Sequence, residues 1–397
     1  MGRITAQEAL ARISSDGRRK SKGAAPSQVR DCGGVYVFSN GLVAPADDEL
    51  PPVLGYTDGE TGGSIPPSML NWLEGYNLEV SVLQGMSLPI EEASSKAKAK
   101  AAPRESIPAL IKARWAQTAP YNQNIIVGGK KCVAGCCAIA VAQILYYWGV
   151  QGRNGRTYRR GCMATPGYKT MTNGDEVAAL PPVTSFAYDT MTATKPTSKA
   201  SKASVAQLVE YVGKAMQSDY KPSSTGAMST LIAPALKDYL RMGSTVRFIQ
   251  SSKVGTKAFE QLIYDEICAG RPVYMDGAIS AKSTAGHAFV CDGYDSANDL
   301  YHFNWGWGGS YNGWFAMSAL TPYNRNYSFR KEAVIGIDPT TNVPGDLNGD
   351  GSISVTDVMQ AVRLRNSGGY DERADVNYDG KVDKEDIDRM RDMVLGK

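Results

Sequence analysis

The stretch "KKCVAGCCAIAVAQILYYW", residues 130–148, holds Cys132, Cys136 and Cys137 within six residues and then becomes an almost unbroken apolar run. Thiols crowded at the entrance of a buried helix can bind metal, form disulfides, fill a core or supply a nucleophile. A tetrahedral metal site needs paired ligands or a second Cys/His cluster. The chain has seven cysteines and two histidines, and Cys32, Cys162, Cys268 and Cys291 are scattered singly. That spacing argues against zinc or an iron–sulfur cluster. Seven cysteines in 397 residues are also too few, and odd in number, for a stapled scaffold. One bridge at most remains, with Cys132 and Cys162 as the pair. Two readings are left for Cys136 and Cys137: small apolar core residues, or one nucleophile beside one packing residue. Consecutive helical residues point about 100° apart, so the two thiols are not expected to face one cleft.

At 397 residues the chain has room for two or three domains. A hydrophobic content of 43% and a charged content of 21% describe an ordinary globular protein. A net charge of +3 gives no reason to expect nucleic acid as a partner. The longest apolar run, Cys136 to Trp148, is interrupted by Gln143 and is too short to span a bilayer, so no transmembrane segment is expected. "MGRITAQEALARISSDGRRK" at residues 1–20 lacks the apolar stretch of a signal peptide, so none is expected in this sequence.

Pattern divides the chain into units. Residues 1–93 read as a small α+β unit. "GGVYVFSNGLVAP" (33–45) is a strand–turn–strand with Asn40-Gly41 at the bend. "PPSMLNWLEGYNLEVSVLQ" (66–84) predicts a helix with Met69, Leu73, Tyr76, Val80 and Leu83 on one face. Residues 94–105, within "EASSKAKAKAAPRES" (92–106), carry no large apolar side chain and read as an exposed linker open to proteolysis. Residues 106–339 open with helical stretches. They close with strand signals: "RPVYMDGA", "HAFVCDGYDS", "LYHFNWGW", "GWFAMSAL" and "EAVIGIDP". Short polar gaps between these predict an antiparallel meander, and helices before strands predict an α+β class. A short linker, 340–344, leads to residues 345–397, where "DLNGDGSISVTD" (346–357) and "DVNYDGKVDKED" (375–386) repeat at a 29-residue offset.

A nucleophilic cysteine needs a helix N-terminus or a cation, an imidazole to exchange the proton, and donors for the oxyanion. Gly135 ahead of the helical pattern places Cys136 in the first turn, where the helix dipole favours negative charge. Only His287 and His302 are available as the base. Strand alternation puts His302 on the same face as Asn304, which fits a structural neighbour of a site as well as a base.

"WAQTAPYN" (115–122), "GCCAIAVAQILYYW" (135–148), "GHAFVCDGYD" (286–295) and "YHFNWGWGG" (301–309), in that order, resemble the streptopain family of papain-fold cysteine peptidases. The resemblance covers residues 106–339 and implies a papain-like domain with Cys136 as nucleophile and His287 as general base and acid. It implies that the Gln117 side chain donates to the oxyanion, and that Asn304 and Trp305 orient and shield the imidazole. No cofactor is implied for catalysis. Cys137 stands where the family carries an apolar residue such as valine, consistent with packing. Residues 1–93, "GLVAPADDELPPVLGYTD" (41–58) in particular, are similar to the family's inhibitory prodomain, which implies a zymogen released by cleavage in the linker.

In a twelve-residue calcium loop, oxygens at positions 1, 3, 5, 7, 9 and 12 surround the ion and glycine at 6 permits the turn. The first loop offers Asp346, Asn348, Asp350, the Ser352 carbonyl, Ser354 and Asp357. The second offers Asp375, Asn377, Asp379, the Lys381 carbonyl, Asp383 and Asp386. Each has Asp at position 12 in place of glutamate, and neither follows a helix. These features resemble the type I dockerin, an all-α module that binds two calcium ions and docks on a cohesin domain. Its partner-choosing positions 10 and 11 correspond to Val355-Thr356 and Lys384-Glu385, and the two pairs differ. The expectation is therefore a secreted or cell-surface cysteine endopeptidase zymogen, acting on proteins or peptides and attached to a cohesin-bearing scaffold. The alternatives are a catalytically silent binding protein and a Cys/His acyltransferase.

Overall fold

The computed structural model describes residues 4–15, 29–31, 35–38, 42–46, 53, 55–57, 104–153, 155–280, 286–320, 327–341, 343–348 and 352–396. The helix expected over 66–84, most of the linker at 94–105, the Asn40-Gly41 bend and Asp350 lie outside these residues.

The N-terminal segment opens on a helix, Ala6–Ser15 (α1), that the reading above does not anticipate. Its signal is local. Thr5 Oγ1 accepts from the Glu8 N–H at 3.2 Å, and the Glu8 carboxylate accepts from the Thr5 N–H at 2.6 Å. This is a capping box written as T-A-Q-E. Four short strands follow: Val29–Asp31 (β1), Val35–Phe38 (β2), Leu42–Pro45 (β3) and Gly55–Thr57 (β4). β2 and β3 pair as the expected hairpin, with Val35 opposite Pro45 and Val37 opposite Val43.

The sheet continues far beyond them. Arg247–Gln250 (β5), Val273–Ala278 (β6), Gly286–Asp295 (β7), Leu300–Asn304 (β8), Gly313–Phe315 (β9) and Phe329–Ile335 (β10) complete ten strands, with every neighbouring pair antiparallel. The order is β1-β2-β3-β4-β9-β8-β7-β6-β10-β5. The expected meander holds for β6 through β9 only. β10 crosses back to pair with β6, and the outer edge of β9 is occupied by β4, with Trp314 opposite Tyr56. The N-terminal segment thus covers what would otherwise be an open sheet edge.

Strand alternation divides the core into two layers. Tyr274, Ala288, Val290 and Val334 face one layer, built around the helix Cys136–Tyr146 (α2) and the helix Lys199–Ala215 (α3). Met275, Phe289, Cys291 and Ala333 face the other, with Phe259, Ile263 and Ile267 of the helix Thr256–Cys268 (α4). Ten of the eleven residues of α2 are buried, all but Cys136. A helix apolar all round is a helix in the middle of a core. Cys132 and Cys162 are free thiols, so the candidate bridge is not formed. Cys132 turns toward the Lys130 carbonyl at 3.6 Å, while Cys162 is pinned by backbone bonds to Val183.

The C-terminal repeat folds as two helices, Val355–Asn366 (α5) and Lys384–Leu395 (α6), packed through Ala361, Val376 and Met390. It also touches the larger unit. Arg241, 1% exposed, donates to the Asp375 carbonyl at 2.7 Å and lies 4.1 Å over the Tyr378 ring. The second loop therefore rests on a buried cation of the neighbouring unit. Among the described residues no helix is long and apolar enough to cross a membrane.

Candidate active site

The backbone turn at Gly135 sets the geometry of the nucleophile. Its φ of 90° lies in the left-handed region, and a Cβ there would stand 2.9 Å from the Thr225 carbonyl. Glycine lets the chain enter α2 abruptly and leaves Cys136 at its open N-terminus, half-buried, where backbone N–H groups have no partner within the helix. The hydrogen bond from Cys137 holds the Cys136 thiol below its ordinary pKa. Burial opposes this, the Ala288 N–H assists it, and the Asp276 carboxylate opposes it. The same hydrogen bond pushes Cys137 well above its ordinary value, with burial adding to the effect. Cys137 is 7% exposed and takes a hydrogen bond from the Tyr274 hydroxyl at 3.4 Å.

Both residues border one cleft, but Cys137 is packed in the core beside Tyr274 while Cys136 is half-buried. The asymmetry between the two lies in exposure and hydrogen bonding, and both favour Cys136 as the reactive group.

His287, the second residue of β7, lines the same cleft. Its Nε2 lies 2.8 Å from the Trp305 carbonyl. A carbonyl only accepts, so Nε2 carries the proton in the neutral ring. Aromatic rings enclose the imidazole: Trp307 at 4.6 Å, Tyr327 at 5.3 Å and Trp305 at 6.4 Å between centroids. Trp307 and Tyr327 are absent from the resemblance-based set, because their proximity arises from the turn after β8 and from the approach to β10.

Asn304 is placed behind this layer. Its amide donates to the Ala113 carbonyl at 2.7 Å, and its oxygen accepts from Gln143 at 3.2 Å and from the Gly306 N–H at 3.1 Å. It thus ties α2 to the turn that carries Trp305, whose carbonyl contacts the imidazole. Gln117 is half-buried, and its carbonyl accepts from the Ala134 N–H at 2.9 Å, two residues before Cys136. His302 is paired elsewhere: Nδ1 lies 2.7 Å from Asp292, which also accepts from the Ile111 N–H at 2.7 Å. That buried pair fastens the chain entering the larger unit to the sheet.

The calcium loops show a second constellation. Asp386 accepts from the Val376 and Asn377 N–H groups through one oxygen and from Asp383 through the other. Asp357 repeats the pattern with Leu347, Asn348 and Ser354. Each aspartate also closes a capping box at the start of the helix that follows, α6 or α5. Ligand oxygens of Asp375, Asp379 and Asp386 lie within 4.8 Å of one another. Burial, then repulsion from Asp375 and Asp379, pushes the Asp386 carboxyl above its ordinary value. Gathered carboxylates of this kind suit a hard divalent ion. Val355, Thr356, Lys384 and Glu385 are exposed at the starts of the two helices.

Comparison with known proteins agrees with this geometry. The model of the peptidase C10 family matches residues 115–315, just over half of the chain. The chain belongs to the peptidase C10 family. The larger unit is accordingly a cysteine peptidase, and a type I dockerin domain matches residues 344–395. Among curated relatives, the thiol protease/hemagglutinin PrtT of Porphyromonas gingivalis is 28% identical over 339 residues. Streptopain of Streptococcus pyogenes is 27% identical over 328 residues. The matches cover 78% and 77% of this chain, but 38% of the first relative and 80% of the second. The fold is similar to that of a Prevotella intermedia prointerpain A fragment, with a TM-score of 0.61 at 23% identity, covering 78% of this chain and 98% of that one. Active interpain A gives a TM-score of 0.53 at 24% identity, over 61% of this chain and 100% of that one.

Proposed function

We propose that the chain is a secreted zymogen of a cysteine endopeptidase, held by a calcium-loaded dockerin on a cohesin-bearing scaffold. The observation that carries the catalytic part is the placing of Cys136, its thiol pKa lowered at a helix N-terminus, in one cleft with His287. In this reading His287 Nδ1 takes the thiol proton and the thiolate attacks the scissile carbonyl. The oxyanion that develops accepts from the Gln117 side-chain amide. The tetrahedral intermediate expels the amine, which takes its proton from the imidazolium, and leaves an acyl-enzyme. Water then attacks the acyl group, giving its proton to His287. The second tetrahedral intermediate breaks its C–S bond, releasing the free carboxylic acid and the Cys136 thiolate, which regains the proton from the imidazolium. Trp305 and Asn304 act through the carbonyl that holds Nε2. Product analysis on a peptide mixture tests this. Free carboxylates at internal cleavage sites are expected. Peptides joined to added amines would indicate an acyltransferase, and unchanged peptides a silent binding protein.

Activation follows from where the chain is anchored. Arg104 donates to the Tyr301 hydroxyl at 3.0 Å and stacks over Tyr264 at 4.7 Å, and the Glu105 N–H donates to the Tyr264 hydroxyl at 2.8 Å. These contacts hold the start of the peptidase unit after the linker is cut, so cleavage is expected between Ser94 and Arg104. The Cys136→Ala protein is expected to persist at full length if the cut is autocatalytic. N-terminal sequencing of the active form checks the site, and a mature start within residues 1–80 would contradict it.

The dockerin part rests on the two matching loops. Two calcium ions would be held by the twelve positions named above, with Asp350 among them. The exposed residues Val355, Thr356, Lys384 and Glu385 would face the cohesin.

A further inference from the structure

The cleft that holds Cys136 and His287 encloses about 550 Å³. Much of its wall is small, with Gly226, Ala227, Gly277 and Ala278 leaving room for an incoming side chain. Its floor is charged. Asp276 on β6 and Glu332 on β10 both line it and stand directly opposite each other across the antiparallel pair. Like charges in that relation repel. Glu332 is steadied by the Gln250 amide at 2.7 Å. Asp276 has no such help at Oδ2, which is buried and has no hydrogen-bond partner. Such an acceptor loses its water without replacement. Burial first, and then the neighbouring Cys137 and Glu332, raise the Asp276 carboxyl well above the ordinary range, although Ser229 and Tyr274 pull the other way. Arg330 also borders the cleft and is exposed there.

A cation lodged between the two carboxylates relieves the repulsion and supplies the missing donor together. We propose that this cleft receives a lysine or arginine side chain of the substrate, with Asp276 and Glu332 as its acceptors. The inference rests on the reading of the larger unit as a peptidase and adds the side-chain class that it selects. A long cationic side chain would pass the small-residue wall and place its N–H groups at the floor, next to the reacting thiol. It would also screen the Asp276 charge that opposes the Cys136 thiolate.

The test uses the processed protein and peptides that carry lysine or norleucine, its uncharged straight-chain counterpart, at each position flanking the scissile bond. At one position lysine should be preferred in kcat/KM by roughly tenfold or more, the scale of a charge-assisted hydrogen bond. Asp276→Asn, which keeps the shape, should bring that ratio close to one, and Glu332→Gln should reduce it. The same peptides are titrated calorimetrically into the Cys136→Ala protein, where the lysine peptide should bind more tightly without turnover. That binding preference, seen even if no peptide were hydrolysed, would support the subsite while overturning the peptidase reading. A wild-type preference for norleucine at every position, or a lysine preference untouched by Asp276→Asn, would overturn the subsite while hydrolysis stands.

Discussion

His287→Ala should lower kcat/KM for peptide hydrolysis by about 10³-fold, within the range for removing a positioned acid–base group. His302→Ala should retain turnover in the molecules that remain folded. The two histidines differ in what surrounds them. His287 lines the cleft with Cys136 and holds one nitrogen on the Trp305 carbonyl, whereas His302 is committed to the buried Asp292 carboxylate. His302→Ala therefore takes a hydrogen-bond partner from the buried Asp292 side chain and should appear as lost stability, readable as a lower unfolding midpoint. The neighbouring thiols separate in the same assay. Cys136→Ala removes the bond-forming atom and should abolish hydrolysis. Cys137→Ala removes the hydrogen bond that holds the Cys136 thiol down, so the Cys136 pKa rises. The acid limb of the kcat/KM profile should then move to higher pH, because the thiolate forms later as pH is raised.

Calcium removal should have the second large effect. In the second loop three carboxylates converge within 4.8 Å, and repulsion among them raises with every added charge until a cation is present. Ligand that binds only the folded loop stabilises it by about 2.7 kcal/mol at a concentration one hundred times its Kd. In chelator the C-terminal repeat of the full chain should be cut rapidly by an added protease, and calcium should protect it. Because Arg241 rests on the Asp375 carbonyl and the Tyr378 ring, filling of the second loop should also protect the adjoining surface of the peptidase unit. Equal cleavage rates with calcium and with chelator would contradict this account of the repeat.

Much of this site is legible in sequence because its signals are local. A glycine before an apolar helix puts Cys136 at a helix N-terminus, and the structure has that helix begin at Cys136. The paired twelve-residue loops are visible as a repeat, and their position-12 aspartates take up matching backbone hydrogen bonds. What escapes is tertiary. Asp276 looks like an ordinary strand residue in "RPVYMDGA"; only packing buries its Oδ2 and sets Glu332 opposite. Arg241 carries no local mark of its contact with residues more than a hundred positions away. The crossing of β10 past the meander to pair with β6 is a long-range contact that no pattern within either strand reports.

The central claim is that Cys136, poised by His287, is the nucleophile. It is tested most directly by treating the processed protein with a peptidyl epoxide and locating the adduct by mass spectrometry. The described free thiols also include Cys132, Cys137, Cys162 and Cys291, all buried, and Cys268, which is exposed. A reagent that reads exposure alone would modify Cys268. The account predicts one adduct, on Cys136, forming far more slowly in His287→Ala. An adduct on Cys137, or labelling of Cys268 in preference to Cys136, would contradict it.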